Sequence, residues 1–470
     1  MSIQKNIFLR YSHVEFQYFY SLSKMMSVFK IFLFKAFLCL VPLTLSSQSS
    51  VVQVVENSPK DWVLLVDGKP FYIKGAGGET ELKKVVEAGG NTIRTWGTEN
   101  AESVLDAAHE LGIKVMLGLW VQHERHGFDY NNIAKVNSQL ERFRDEVIKY
   151  KDHPALLIWC VGNEYELNYS NEKVWTAVND IAKMIQEEDS NHPVATVTAG
   201  TNAEKLKFVK EELTDIDIYG INTYADVVNV KGVLDRGEYD KPYMITEWGP
   251  TGHWEIEKTI WGSSIEQNST EKAHSYLTRY SDNIDPYKSM CIGSFAFLWG
   301  QKQEYTSTWY GLFGENGMPT EAIDVLQFCW TNEYPENRAP SIEKIIFNNS
   351  EDIKNLILAP ATTYNVEVVA NDLNGDILNI KWELYPESTD LKTGGDVEGK
   401  PPIIPGKIKG VHSTDIDLKT PRNEGRYRLF VFIDDGEKLA YANIPFYVDP
   451  SLSTSNSILF KKQKLKPYEN

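Results

Sequence analysis

The sequence predicts a (β/α)8 TIM barrel over residues 49–335, followed by a small C-terminal immunoglobulin-like β-sandwich over 336–450. Three observations predict it. Eight short apolar runs alternate with amphipathic segments through the first region. The runs are near-continuously apolar, as strands of a parallel sheet covered on both faces are. Past a polar stretch carrying Pro335 and Pro340, the period drops to two and turn residues punctuate it, the pattern of an antiparallel sandwich.

The N-terminal residues 1–48 read as an extension and a signal peptide. Lys24 and Lys30 precede an apolar stretch that ends in small polar residues, with cleavage expected near Ser46 to Ser50. Lys35 interrupts the apolar run, which argues against a membrane anchor. The chain is therefore expected to be secreted, periplasmic or at the cell surface, with no integral membrane span in the mature chain. Cys39 falls in this segment; Cys160, Cys291 and Cys329 sit in apolar stretches, an odd number expected as buried free thiols.

The expected strands are 71–75, 91–96, 114–120, 156–162, 194–200, 216–224, 243–249 and 292–300. Amphipathic segments such as 79–89, 99–112 and 172–189 lie between them. Eight strand–helix units over this length match a barrel. A doubly wound sheet is the alternative; the loop "KGAGGET" at 74–80 resembles its phosphate-binding turn only loosely. In the second region 363–372, 377–385, 426–435 and 439–449 read as sandwich strands, and the polar, basic tail 451–470 as disordered.

A net charge of −17 argues against a nucleic-acid partner and against a polyanionic substrate. It leaves neutral ligands open. In a parallel barrel the loops after the strands converge on one concavity, so strand ends are where chemistry gathers. Those ends carry Arg94 and Trp96; Trp120, Gln122 and His123; Asn163 and Glu164; Asn222 and Tyr224; Glu247 and Trp248; Trp299 and Gln301. Two carboxylates on the fourth and seventh strands can face each other across a sugar, one as nucleophile and one as general acid/base. That division needs different surroundings: a cation such as Arg94 beside one, apolar walls and an anion beside the other. Trp offers a flat face to the apolar side of a pyranose, a role expected of Trp248 and Trp299.

Other signals have plainer readings. "HERH" at 123–126 lacks a third ligand and soon meets Gly127, so no metal site is expected, and no cofactor motif is present. Gln122 and His123 are expected to contact sugar hydroxyls. "NDLNGD" at 371–376 has carboxylates at calcium-loop spacing, but its Asn-Gly between two strands favours a hairpin turn. Sequons occur at Asn168, Asn268 and Asn348.

"HPALLIWCVGNE" (153–164) with "KPYMITEWGP" (241–250) resembles the clan of retaining glycoside hydrolases with Asn-Glu on strand four and Glu on strand seven. The barrel resembles the glycoside hydrolase family 2 catalytic domain. With the C-terminal immunoglobulin-like domain, the chain is similar to the family 158 endo-β-1,3-glucanases. The resemblance implies Glu164 as acid/base, Glu247 as nucleophile, and Asn163 as the residue that bonds the sugar 2-hydroxyl. It implies that Arg94 and Tyr224 orient the nucleophile, and that Trp299 forms an aromatic floor. The implied partner is a neutral β-linked polysaccharide or oligosaccharide. A transglycosylase on the same scaffold and a non-catalytic glycan-binding protein are the alternatives. The sandwich, with Trp382 as its one tryptophan, is expected to be structural.

Overall fold

A computed structural model describes residues 49–452 and the backbone of 458–460. The expected signal segment, Cys39 and most of the expected tail lie outside the described residues.

Three antiparallel strands come first: β1 (Val52–Ser58), β2 (Asp61–Val66) and β3 (Lys69–Phe71). Asp67 and Gly68, at φ 51° and 74°, make the left-handed turn between β2 and β3 that Asp-Gly favours. Val52 and Leu64 pack with Met116, Ile158 and Ile218 inside the barrel. Backbone bonds from Val52 to Asn191 and from Trp62 to Ser289 fix this sheet just ahead of two barrel strands, where it stoppers their N-terminal mouth.

The barrel closes from eight parallel strands: β4 (Ile73–Gly77), β5 (Thr92–Arg94), β6 (Lys114–Leu119), β7 (Leu156–Val161), β8 (Val194–Ala199), β9 (Ile218–Asn222), β10 (Tyr243–Trp248) and β11 (Cys291–Ala296). A helix follows each: α1 (Leu82–Glu87), α2 (Ala101–Leu111), α3 (Ile133–Tyr150), α4 (Lys173–Glu188), α5 (Ala203–Glu211), α6 (Val227–Arg236), α7 (Ser269–Asn283) and α8 (Glu321–Thr331). Successive strand residues serve two cores. Trp159 and Val161 of β7 join the shell beneath the helices, while Ile158 and Cys160 fill the barrel interior. That double burial explains the unbroken apolar run. At the closing seam between β11 and β4, Gly293 has φ 154°, and a Cβ there would lie 2.2 Å from that of Ile73. The eight expected strands are all present, and no described helix is long and apolar enough to cross a membrane.

The second domain is two sheets. One holds β12 (Ser341–Phe347), β14 (Thr363–Asn371), β17 (Asp415–Lys419) and β16 (Ile408–Lys409); the other holds β15 (Asn379–Pro386), β18 (Gly425–Asp434), β19 (Leu439–Val448), β13 (Leu356–Leu358) and β20 (Ile458–Phe460). They enclose a separate core around Trp382, Val431 and Phe446. Within the expected tail, Ile458–Phe460 pairs antiparallel with Leu356–Leu358. All ten residues of β19 are buried, losing the expected alternation, because its outer face meets the barrel. There Tyr441 N donates to Ser269 Oγ, and Asn443 Nδ2 donates to Glu266 Oε2 at 2.6 Å. Glu266 also takes Lys272 Nζ at 2.5 Å, and Arg428 Nη1 donates to Asn443 Oδ1 at 2.6 Å. This buried ionic network joins the two domains.

Candidate active site

At the C-terminal mouth of the barrel lies a pocket of about 760 Å³, within the size range of small-molecule sites. Its floor is polar. Arg94, fully buried at the end of β5, donates from Nη1 to Glu247 Oε1 (3.1 Å) and Thr246 O (2.8 Å), and from Nη2 to Asn163 Oδ1 (2.6 Å). Trp96 Nε1 donates to Glu247 Oε1 at 3.0 Å, and Tyr224 OH donates to Oε2 at 3.0 Å. The Glu247 carboxylate thus has three donors, one of them a cation. Charge-assisted bonds of this kind fix both position and orientation.

Asn222, at the end of β9, links this cluster to the second carboxyl. Its Nδ2 donates to Glu164 Oε1 (2.9 Å) and Asn163 Oδ1 (3.0 Å). Its Oδ1 accepts from Thr246 Oγ1 (2.9 Å) and Arg94 Nη1 (3.3 Å). Glu164 has no cation of its own. Burial first, and the charge of Glu247 second, push its pKa up to about 8; the bond from Asn222 opposes them. At neutral pH Glu164 therefore favours its protonated form.

Local backbone aims both groups. Glu164 sits at φ 49°, a left-handed conformation that costs a non-glycine residue about 1–3 kcal/mol and survives where its surroundings enforce it. Its N–H bonds Val197 O (3.0 Å) and its carbonyl takes Leu167 N (3.0 Å). In β10 the register against both neighbours shifts between Ile245 and Trp248. Such bulges re-aim side chains; here Glu247 lines the pocket while the buried Thr246 bonds Asn222 beneath it.

The same shift corrects an expectation. Trp248 turns away from the pocket and packs against Tyr276 and Tyr280. Trp299 is also no floor: it is 0% exposed, packed against Phe313 and Trp330. Because β11 ends at Ala296, Phe297 and Leu298 line the pocket instead. Gln301 bonds Ser307 O, Gln122 is held by its backbone to Gln139, and none of Gln122, His123 and Gln301 lines the pocket. His123 stands behind the lining residue Trp120, stacked on it at 4.7 Å with a 9° tilt. Burial pushes its pKa down to about 4, aided by Arg125, so it is neutral and accepts Arg125 Nε at Nδ1 (3.0 Å). Trp120, Asn163, Glu164, Tyr224 and Glu247 do line the pocket, with Arg94 directly beneath.

Further residues complete the site: the sequence places Trp96 at a strand end and Trp254 and the loop 299–313 near one, without giving Trp96, Lys302 or Glu304 a role. Trp96 stands two residues past Arg94, a spacing that could have assigned it. Lys302 and Glu304, paired at 2.7 Å, come from the polar-aromatic loop after β11. Trp254, 54% exposed, stands at the rim edge-on to Tyr224. Residues 392–395 of the sandwich form part of the wall, and no one-dimensional pattern signals that. "HERH" offers no free ligand set, since Glu124 accepts the Ser170 and Asn171 amides and His126 pairs with Asp396. Asp372, Asp376 and Asp435 on the sandwich bring carboxylate oxygens within 4.8 Å of one another. Asp372 Oδ1 accepts the amides of Asn374 and Asp376, as a turn former does.

Residues 59–285 match the family model described as glycosyl hydrolases family 2, TIM barrel domain. Mouse β-mannosidase is 22% identical over 270 residues, 49% of this chain and 29% of that protein. A β-galactosidase of Bacteroides ovatus is 22% identical over 314 residues, 54% of this chain and 36% of that protein. A β-glucuronidase of Paenibacillus borealis is 23% identical over 316 residues, 58% and 51%. Among solved structures, a β-D-glucuronidase from Dictyoglomus thermophilum aligns with a TM-score of 0.47 at 18% identity, covering 61% of this chain and 54% of that one. The chain spans about half or less of the length of these relatives.

Proposed function

We propose, from the match of residues 59–285 to the glycosyl hydrolase family 2 TIM barrel domain, that the chain is a secreted retaining β-glycoside hydrolase acting on a neutral β-glucan. The observation that carries the reading is the single hydrogen-bonded network that joins Glu164 and Glu247 through Asn222 and Arg94. In the first step Glu247 attacks the anomeric carbon, the bond from that carbon to the leaving oxygen breaks, and Glu164 gives that oxygen its proton. In the second, Glu164, now a carboxylate, takes a proton from water as the water oxygen attacks the anomeric carbon. The ester to Glu247 breaks, and two inversions leave net retention. Glu164 must hold a proton at working pH, consistent with its raised pKa. Asn163, fixed by Arg94 and Asn222, is the candidate partner of the sugar 2-hydroxyl.

Preference for a neutral sugar is supported by the charges at the wall. The lysines lining the pocket are both paired: Lys302 with Glu304 at 2.7 Å and Lys392 with Asp390 at 2.8 Å. A uronate carboxylate entering here meets no uncommitted lysine among the described lining residues. Internal cleavage of β-1,3-linked chains rests on the resemblance of barrel plus sandwich to family 158, and secretion rests on the N-terminal apolar segment. The test is reducing-end release from laminarin, mixed-linkage and β-1,4 glucans, β-mannan and aryl β-glucuronide. Release from laminarin that disappears in Glu247→Ala supports the reading. Binding without release from any substrate favours a glycan-binding protein; longer products favour a transglycosylase.

A further inference from the structure

The geometry points to the sandwich loop 390–398 as a fixed wall of the substrate site, with Thr393, Gly394 and Gly395 forming a subsite for sugar units beyond the reacting one. This rests on the glycan-binding reading above, and it reassigns the second domain from support to recognition.

The loop lines the catalytic pocket although some 145 residues or more separate it in sequence from Glu247. It is bolted to the barrel on two sides. Arg125, from the loop after β6, donates from Nη1 to Asp396 Oδ2 (2.7 Å) and Thr393 O (3.0 Å). His126 Nε2 lies 3.0 Å from the same Asp396 oxygen. Across the pocket, Lys302 from the loop after β11 donates to Gly395 O at 2.7 Å. Within the loop, Glu398 is buried and bridges both parts, accepting Tyr305 N (2.6 Å) and Lys392 N (2.9 Å).

Two consecutive glycines make the approach possible. Gly394 and Gly395 have φ 62° and 73°, where L side chains are strained. A Cβ on Gly394 would stand 2.8 Å from Leu167 and 3.0 Å from Arg125; one on Gly395 would stand 2.8 Å from Lys302 Nζ. Bare backbone is what fits between these barrel loops. The clamp also reaches an aromatic surface: Arg125 holds His123, His123 stacks on Trp120, and Trp120 faces the pocket. Asp396 is thus a positioning residue. It does not itself line the pocket, but it sets the loop against Arg125, which holds His123 behind Trp120.

The test uses the full chain carrying Glu247→Gln, so that ligand is bound without turnover. Calorimetry compares the dimer and hexamer of whichever series, laminari-, cello- or manno-oligosaccharide, binds tightest. Adding Asp396→Asn is expected to weaken the hexamer at least tenfold and leave the dimer within twofold. Thr393→Ala, which leaves the latch intact, is expected to show the same length dependence at smaller size. Equal loss for both lengths in both variants, or no loss in either, overturns the inference. Length-dependent binding in a protein whose parent lacks glycosidase activity would sustain the wall and remove the catalytic reading.

Discussion

Replacing Glu164 by Gln should make the protein more stable, but only at higher pH. A pKa of about 8 in the folded protein, against an ordinary 4.5, means that the folded state holds a proton the unfolded state has lost. Stability from this group is complete below pH 4.5 and is lost as pH rises toward 8, because the unfolded chain then binds fewer protons. The full cost, at ~1.4 kcal/mol per pH unit, is on the order of 5 kcal/mol. Part of Glu164 stays open to the pocket, so a figure of roughly 2–5 kcal/mol is expected. In a chain of ~400 ordered residues each kcal/mol moves the melting midpoint by about 1 °C. Glu164→Gln keeps an oxygen for Asn222 and carries no charge at any pH. Its midpoint should match wild type at pH 4 and exceed it by roughly 2–5 °C at pH 9. Wild-type kcat/KM should fall above pH 8 as the acid form disappears. An equal midpoint difference at pH 4 and 9, or a less stable variant at pH 9, would refute the reasoning.

Tyr224→Phe removes one bond to Glu247 Oε2 and should lower kcat/KM by about 10–100-fold, the worth of a bond to a charged group, with melting nearly unchanged. Lys272→Met strands the buried Glu266 and should cost about 3–5 kcal/mol in thermal or denaturant unfolding; an unchanged midpoint would remove that network from the account of domain attachment. Trp254→Ala at the rim should raise KM several-fold while leaving kcat within twofold, read from steady-state kinetics on a soluble oligosaccharide.

The barrel was legible because double burial imprints apolar runs of strand length, and turns and amphipathic helices separate them. The polar residues at the ends of β5, β7, β9 and β10 were legible for a related reason: a buried strand that stops on Arg94, Asn163, Asn222 or Glu247 is conspicuous. Side-chain direction at those ends was not. The register shift in β10 reverses Trp248, and the early end of β11 substitutes Phe297 for Trp299. Neither a bulge nor a four-residue error in a strand end leaves a trace in hydropathy. The β1–β3 sheet was overlooked although Asp67-Gly68 signals it. The sandwich contribution was beyond reach, since Lys392 to Gly395 acquire meaning only through Arg125 and Lys302.

The most direct measurement is covalent trapping. Incubation with a 2-deoxy-2-fluoro β-glycosyl fluoride of the preferred sugar, followed by intact mass and peptide mapping, should give one added glycosyl group, on Glu247. A label on any other side chain, or steady turnover of that fluoride by water with inversion and no adduct, would contradict the assignment of Glu247 as nucleophile and Glu164 as its acid.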